Sequence, residues 1–525
     1  MTGQAPEAPP RPAEIEAIVR AVGLRQDFDA DVLRETEEHL RDPAIDDGQL
    51  DDLEAYPFVT IDGPTSRDLD QALHVERSAR GGFVVRYALA DAAHFVAPGS
   101  ALFREALLRG TSFYFPGFSV PMLPRALSEN IVSLNPGVAR RALLFTVELD
   151  QRAEILETKI SRARIRSRAK LAFDHVQALY DAPAKSPLAT EPFAESLRLL
   201  RAVGEARMAL GDLKDVVRYR RREVEVKVDG ASGEVVALEA VREEVELYNE
   251  QISLLVNREG GRILAESKDP RLQPIYRVHP APDPERLEAL RALTQGLAKL
   301  RELDPRVFAL GDGEALSTLV ARLPRSGPHA AVARAIERQA VLVNMRSAFS
   351  TQPARHFGVG AEVYARFSAP MREVVGIFLH KEMLEHLGLA TPRAAAFDEA
   401  LREEVVLAAN RAREVQRQIR DRTNRIVVDR LFQPVRGTSQ TFDGVVMGHT
   451  ASKVHVELAS PALDVKLYVR DLGRDLGGAW LEIADGGASL RKRDDGALVC
   501  AVGDAVRVTV RGFDKGQDRW VLGLV

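Results

Sequence analysis

Near the N-terminus, apolar residues recur three or four positions apart, which is the spacing of one helix face. The pattern predicts a helix over residues 13–22, ended by Gly23, and a second helix that runs through residue 40. Two short helices joined by a turn resemble half of a helix-turn-helix, although such pairs are more often packing elements than DNA readers. Residues 1–11 are rich in Pro and Ala and are predicted to be a disordered tail.

Near the C-terminus the pattern changes to short segments in which apolar and polar residues alternate, which is typical of β-strands. Five such segments are predicted at 442–448, 453–458, 465–469, 505–512 and 519–524. Five short strands are enough for a small β-barrel over residues 440–525. Such barrels bind single strands through basic and aromatic side chains, and the candidates here are Tyr468 and Arg470. A barrel without a ligand is the alternative.

Residues 58–61 are apolar and β-branched, which predicts a buried strand, and the Gly-Pro pair after them predicts a turn. Three carboxylates, Asp62, Asp68 and Asp70, follow that strand closely. Carboxylates that converge in a partly dry pocket repel one another and raise one another's pKa. A hard cation such as Mg²⁺ removes this repulsion, because it prefers carboxylate and phosphate oxygens. A solvated turn is the alternative, since Asp, Gly, Pro and Ser are ordinary turn formers.

Length and composition are those of an ordinary globular protein. The chain has 525 residues, of which 45% are hydrophobic and 28% are charged, enough for two to four domains. The net charge of −4 means that any contact with nucleic acid must come from local patches. Three basic runs, 162–170, 218–222 and 411–430, are candidate phosphate contacts, although solvated surfaces explain them equally well.

Several classes of protein are excluded by missing patterns. The single cysteine, Cys500, rules out an internal disulfide and a zinc site of several cysteines, which fits a reducing compartment. The N-terminus lacks the features of a secretory signal, and no run of about 18 apolar residues is present. We therefore expect a cytoplasmic protein without membrane contact. No P-loop, HExxH or Ser-His-Asp pattern is found, so no nucleotide cofactor is expected.

The stretch FVTIDGPTSRDLDQAL resembles the signature of the ribonuclease II (RNB) family of exoribonucleases. That signature has a strand ending Thr-Ile-Asp, then five residues, then Asp-x-Asp-Asp-Ala. Here the same frame reads Asp62, five residues, Asp68, Leu69, Asp70, Gln71 and Ala72. Three of the four family aspartates are therefore present, and Gln71 stands at the position of the fourth.

Two further blocks carry the same resemblance. The run TSFYFPGFSVPMLPRALSENIVSL puts Tyr114 where family members have a tyrosine near the 3′-terminal nucleotide, and an aromatic face stacks on any base. A core position is the alternative for this residue. The run STQPARHFGVGAEVYARFSAPMREVVGIFLHKEM puts Arg372 in the family's Ser-Pro-x-Arg segment, which implies contact with the scissile phosphate. Pairing of Arg372 with the adjacent Glu373 is the alternative.

The resemblance implies an α+β protein of three parts. These are a tail and small helical segment over residues 1–50, an RNB-type catalytic domain over 51–435 with a mixed sheet surrounded by helices, and a five-stranded S1-like OB-fold barrel over 440–525. Relatives usually carry two cold-shock barrels before the catalytic domain. Residues 1–50 cannot encode them, so we expect the RNA clamp that they form to be absent or replaced.

The resemblance also implies an activity, the Mg²⁺-dependent hydrolysis of single-stranded RNA from its 3′ end with release of 5′-mononucleotides. In this hypothesis Asp62, Asp68 and Asp70 are catalytic and hold Mg²⁺. Arg372 is catalytic on the phosphate, and it binds RNA together with Tyr114 and the two barrel candidates. We expect the protein to act as a monomer.

Gln71 is the main departure from the family pattern. Its amide oxygen can accept a hydrogen bond or ligate an ion, but it brings no negative charge, which predicts a raised Mg²⁺ requirement. Val374 and Gly376 also stand where family members have Tyr and Asp, and Lys381 where they have Arg. These departures favour an alternative, a catalytically impaired RNB-fold protein that binds RNA. A DNA-binding regulator that uses the N-terminal helices is a third hypothesis.

Overall fold

The computed structural model describes residues 12–525 except 215, 218, 220–222, 230–233 and 241. The predicted tail over residues 1–11 and most of the basic run over 218–222 therefore lie outside the described residues. Both predicted N-terminal helices are present, as α1 (Ala13–Ala21) and α2 (Ala30–Arg41). The apolar face of α1, with Ile15, Ile18 and Val19, is buried in a hydrophobic cluster shared with later parts of the chain. This face of α1 therefore packs against the rest of the protein, and nucleic-acid contact by the segment stays a prediction.

From residue 51 to residue 172 the chain alternates between strands and short helices. They are β1 (Asp51–Asp52), β2 (Val59–Asp62), β3 (Gln71–Arg77), β4 (Phe83–Ala90), α3 (Ala92–Phe95), α4 (Ala101–Arg109), β5 (Phe113–Phe115), β6 (Phe118–Val120), β7 (Ala139–Leu149), β8 (Ile155–Arg166) and β9 (Ala169–Ala172). Seven of the strands form one mixed sheet in the order β1-β8-β7-β4-β3-β2-β9, and β5 pairs with β6. Within the sheet, β1–β8 and β2–β9 are parallel pairs and the other pairs are antiparallel.

The next part of the chain is mainly helical and surrounds this sheet. Its elements are α5 (Phe173–Asp181), α6 (Ala194–Asp212), β10 (Glu223–Val228), β11 (Val235–Ala240), α7 (Glu244–Glu266), β12 (Tyr276–Val278), α8 (Pro284–Leu300), α9 (Pro305–Phe308), α10 (Leu316–Arg322), α11 (Ala330–Val343), β13 (Ala348–Ser350), α12 (Val374–His386) and α13 (Ala395–Phe432). Almost all of α12 is buried, including the charged side chains of Lys381, Glu382 and Glu385, which pair with one another. Apolar residues of α7 and α12 share the largest core with the sheet.

The C-terminal part consists of nine elements. They are β14 (Thr441–Thr450), β15 (Lys453–Leu458), β16 (Asp464–Tyr468), α14 (Val469–Asp475), β17 (Leu481–Ala484), β18 (Ser489–Lys492), β19 (Leu498–Ala501), β20 (Ala505–Asp514) and β21 (Arg519–Leu524). Five of the strands form an antiparallel sheet in the order β16-β15-β14-β20-β21. They match the five predicted segments, which confirms the five-stranded OB-type fold and the α+β class.

A second sheet, β17-β18-β19, is inserted between the third and fourth barrel strands and was not predicted. Its strands have only four residues each, too few to show an alternating pattern. The insertion lies against α8, where a Cβ on Gly296 would be 1.9 Å from the Asp485 carbonyl oxygen. Arg301, directly after α8, also binds Asp504, between β19 and β20, at 2.5 Å. Within the described part of the chain, no helix combines the length and the apolar character needed to cross a membrane.

Candidate active site

The loop between β2 and β3 carries the three predicted carboxylates, and hydrogen bonds hold it at both ends. Asp62 Oδ1 accepts the backbone N–H of Gly63 at 2.7 Å and the Ser66 hydroxyl at 3.0 Å. Near the other end, the backbone N–H of Leu69 donates to Ser133 Oγ at 3.0 Å. The loop therefore holds its carboxylates in defined positions at the end of a buried strand.

Asp70 is the most deeply buried of the three, with a side chain that has no exposed surface. Its Oδ1 accepts the backbone N–H of Met371 at 2.9 Å, and its Oδ2 accepts Nε of Arg372 at 2.5 Å. Burial raises the pKa of Asp70 to about 6, even though the Arg372 guanidinium favours the charged form. The structure thus joins two predicted site residues that lie far apart in sequence.

The turn that carries the arginine is held in place from α7 and α12. Asn257 Oδ1 accepts the backbone N–H groups of Phe367 at 2.7 Å and Ser368 at 2.9 Å. On the other side, Gly376 of α12 packs so closely that a Cβ there would lie 2.8 Å from Cα of Pro370. A side chain at position 376 would therefore displace this turn. Close packing thus explains the glycine that stands where family members have Asp.

Glu373 is not the partner of Arg372. It binds Nε of Arg366 at 2.9 Å, so the alternative of a local ion pair with Arg372 is wrong. Arg372 instead pairs with Asp70 and keeps 31% of its side chain exposed. Its guanidinium therefore spans a fully buried carboxylate and the solvent-open side of the loop.

Tyr114 lies on the open side of the same loop. Its side chain is 46% exposed, and its hydroxyl is 3.5 Å from Oδ2 of Asp68. Asp68 itself is half-buried, and burial raises the pKa of its carboxyl, opposed by Arg372 and reinforced by the nearby Asp62. The predicted residues of the catalytic domain are thus gathered in one place, and the core alternative for Tyr114 does not hold.

The side chain of Gln71 is held by hydrogen bonds from two hydroxyl groups. Its Oε1 accepts a hydrogen bond from the hydroxyl of Tyr87 and, at 3.4 Å, from Oγ of Ser253. Those two hydroxyls also bond to each other at 2.6 Å. The amide oxygen is therefore already held by two hydroxyl donors, and its ability to ligate an ion stays a prediction. Tyr87 on β4 and Ser253 on α7 gave no signal in the sequence, because only the packing of α7 on the sheet brings their hydroxyls together.

A second group of three carboxylates lies closer together than the three predicted aspartates do. Among the described residues, oxygens of three carboxylates lie within 4.8 Å of one another at Glu382, Glu385 and Asp398, and not at the three predicted aspartates. Lys381 Nζ lies among the Glu382 group, 2.6 Å from Asp398 and 3.1 Å from Glu385. A protein cation therefore already balances that group. The three aspartates offer the hard oxygen donors that Mg²⁺ requires, but two of their oxygens are engaged by protein donors at Asp70.

A groove of about 980 Å³ begins at Tyr114 and follows one face of α13. Its opposite wall is β10. The groove is lined by four arginines, Arg346, Arg413, Arg417 and Arg420. Three of the four lie in the basic run predicted over 411–430. The fourth, between α11 and β13, was missed because it stands alone in the sequence. Two glutamates, Glu225 and Glu414, also line the groove, and Glu414 pairs with Arg417. The aromatic entrance and the other three arginines suit the backbone of a single nucleic-acid strand.

The two barrel candidates lie apart from this site, on the C-terminal sheet. The ring of Tyr468 is covered by the guanidinium of Arg519, whose central carbon is 3.9 Å from the ring centroid. Arg470 is half-exposed and donates to Gln517 at 2.7 Å. Tyr468 therefore already stacks on a protein cation, whereas Trp480 in the inserted sheet is 78% exposed. RNA binding by Tyr468 and Arg470 stays a prediction.

A family model described as RNB domain matches residues 50–388. The chain belongs to the RNB family. Two curated RNB relatives are Exoribonuclease 2 of Enterobacter sp., 32% identical over 364 residues, and Ribonuclease R of Vibrio parahaemolyticus, 28% identical over 331 residues. The matches cover 64% and 63% of this chain, but only 51% and 38% of the relatives. The chain therefore spans about half or less of the length of these relatives.

Solved structures show the same fold. Mycoplasma genitalium RNase R in complex with ribose-methylated single-stranded RNA superposes with a TM-score of 0.84 at 20% identity, covering 97% of this chain and 77% of that one. Yeast Ssd1, described as a pseudonuclease, superposes with a TM-score of 0.65 at 15% identity, covering 91% of this chain and 57% of that one. The RNB-type fold thus occurs both in a protein called a ribonuclease and in one called a pseudonuclease.

Proposed function

We propose that this protein is a Mg²⁺-dependent 3′-to-5′ exoribonuclease that hydrolyses single-stranded RNA and releases 5′-mononucleotides. The observation that carries the proposal is the ion pair between Asp70 and Arg372 inside a loop of carboxylates. Membership of the RNB family supports it, as does the arginine-lined groove, which begins at Tyr114 beside the same loop. Action as a monomer in the cytoplasm is part of the proposal.

Each residue of the site has a proposed task. Arg372 binds a non-bridging oxygen of the scissile phosphate and stabilises the charge that develops there as water attacks the phosphorus. The leaving group is the 3′ oxygen of the preceding nucleotide, and the product is a 5′-mononucleotide. Tyr114 stacks on a base near the 3′ end. Asp62, Asp68 and Asp70 would hold Mg²⁺, which when bound supplies an activated water and neutralises the leaving oxygen.

The experiment is digestion of a 5′-labelled single-stranded RNA in Mg²⁺ or in EDTA, with a circular RNA of the same sequence beside it. The proposal expects the linear RNA to shorten one nucleotide at a time in Mg²⁺ only, and the circle to resist. Asp70→Asn is expected to bind RNA and to lose hydrolysis. The matched control is Asp174→Asn, the same change at an exposed residue of α5, which is expected to keep full activity.

A second candidate function is RNA binding without cleavage. It is favoured by the hydrogen bonds that hold Gln71 away from the role of a ligand, and by the likeness to a fold described as a pseudonuclease. In the same digestion a binding protein would retard the RNA both with Mg²⁺ and with EDTA and would shorten it in neither. Persistent shortening by the Asp70→Asn variant would contradict both functions as stated here, because the cut would then come from elsewhere.

A further inference from the structure

A second polar cavity, of about 520 Å³, lies at the other end of the catalytic sheet. Its floor is the start of β8, at Ile155, which pairs with Leu149 at the end of β7. Leu149 in turn pairs with the first residue of β4, whereas Gln71 pairs with Leu89 near the end of β4. Six residues of strand separate the two ends, roughly 20 Å. The cavity is therefore distinct from the carboxylate loop.

Three cations face this cavity without an acidic partner. They are Arg207 on α6, Lys214 just after α6, and Arg258 on α7. No ion pair joins any of them to a carboxylate among the described residues. The nearby Glu259 is buried and already bound by Arg262 at 2.9 Å. Two other acidic residues line the cavity. Glu157 pairs with Lys159 at 3.6 Å, so the charge of Glu154 is the one that remains to offset the three cations. The cavity thus has an excess of positive charge.

Arg207 has a donor that the protein does not satisfy. Its Nη1 donates to the carbonyl of Ala153 at 3.2 Å, but its Nε is buried and has no hydrogen-bond partner. Burial and the neighbouring Arg258 lower the pKa of Arg207 to about 10, and burial with Arg258 and Arg207 lowers the pKa of Lys214. The three cations therefore repel one another, and an oxyanion between them would relieve the repulsion.

We propose that this cavity binds the phosphate of a nucleoside phosphate. Guanidinium groups form paired hydrogen bonds to phosphate oxygens. Two guanidiniums and one ammonium, offset by the charge of Glu154, leave two positive charges, which a phosphate monoester dianion would balance. The cavity also has an apolar edge formed by Ile155, Leu156 and Leu210, and Leu156 is 51% exposed. That edge suits a base or ribose beside the phosphate. The proposal does not depend on the activity proposed above.

The test is isothermal titration with AMP and, separately, with inorganic phosphate, in EDTA and with a single-stranded oligonucleotide filling the groove. We expect AMP to bind with one site per chain in the wild type and in Asp70→Asn. Arg207→Gln and Arg258→Gln are each expected to weaken binding at least tenfold. The matched control is Arg198→Gln, an arginine of α6 that pairs with Glu195, which is expected to leave the affinity unchanged.

Arg207→Lys keeps the charge and separates a lost phosphate contact from a lost fold, and a melting curve for every variant checks the fold. We expect Arg207→Lys to bind AMP more tightly than Arg207→Gln does. Absence of AMP binding by the wild type, or equal affinity in wild type, Arg207→Gln and Arg258→Gln, would overturn the proposal. Equal affinity for AMP and inorganic phosphate would support the anion site and overturn the role of the apolar edge.

Discussion

Arg372 donates from Nε to Oδ2 of Asp70 over 2.5 Å, and the two residues are 302 positions apart in the chain. The carboxylate is fully buried, whereas the guanidinium keeps 31% of its side chain exposed. A buried carboxylate that loses its cation is costly, so the pair stabilises the packing of the loop against the turn before α12. The exposed part of the same guanidinium faces the side from which a phosphate would approach.

Substitution of Arg372 is expected to affect both activity and stability. Arg372→Lys keeps the charge but lacks the planar fork, so we expect the single-turnover rate on RNA to fall about 10²- to 10³-fold. Arg372→Gln also leaves Asp70 without a cation, so its melting temperature is expected to fall below that of the lysine variant. The control is Arg198→Lys at an exposed pair on α6. A rate for Arg372→Lys equal to that of the wild type would remove the arginine from the proposed chemistry.

Gln71→Asp is expected to lower the Mg²⁺ concentration that gives half-maximal activity, because it adds a negative charge beside the carboxylate loop. It also removes the acceptor of the Tyr87 and Ser253 hydroxyls. Tyr87→Phe is the matched control, since it breaks the same hydrogen bond without a change of charge. It is expected to lower stability by about 1 kcal/mol and to leave the Mg²⁺ requirement unchanged. Identical Mg²⁺ titrations for wild type and Gln71→Asp would contradict this account.

The contiguous parts of the site were predictable from the sequence, and the parts that depend on folding were not. Asp62, Asp68 and Asp70 follow one another within nine residues and carry a recognisable frame. Arg372 was reached only through resemblance, because no local pattern shows which carboxylate a distant arginine will meet. Tyr87 could not be predicted as a site residue, because a tyrosine in an apolar strand is typical of a core position. The partner of its hydroxyl is determined by the packing of α7 on the sheet.

The same contrast holds for the fold. The five barrel strands alternate over five to ten residues, long enough for a period of two to be read. The inserted strands β17 to β19 are shorter, and their buried residues Leu490 and Cys500 pack in the barrel core, which no local pattern shows. The grouping of Lys381 with Glu382, Glu385 and Asp398 also escaped notice, because two helices must pack before one ammonium meets three carboxylates.

The arginine-lined groove predicts a specific salt dependence of RNA binding. A cation that contacts a phosphate of a single strand contributes about 0.7 to the slope of log affinity against log salt. Arg420→Gln is expected to reduce the slope by about that amount, measured by fluorescence anisotropy with a labelled oligonucleotide in EDTA. Arg422→Gln is the matched control, because Arg422 is exposed on the same helix and does not line the groove. Equal slopes for the two variants would mean that RNA does not follow this groove.

Glu385 predicts how stability depends on pH. It is buried beside Lys381, Glu382 and Asp398, and burial raises its pKa to about 7 from an ordinary value near 4.5. Between these two values the folded protein binds a proton that the unfolded chain has released, so the free energy of unfolding falls as pH rises through this window, by roughly 2 to 3 kcal/mol. Glu385→Gln cannot titrate there. Calorimetry is therefore expected to give similar melting temperatures for wild type and Glu385→Gln at pH 5, and a lower one for wild type at pH 8.

Glu399→Gln, the same change at an exposed position of α13, is expected to follow the wild-type profile. Parallel profiles for wild type and Glu385→Gln would show that this carboxyl keeps an ordinary pKa despite its burial.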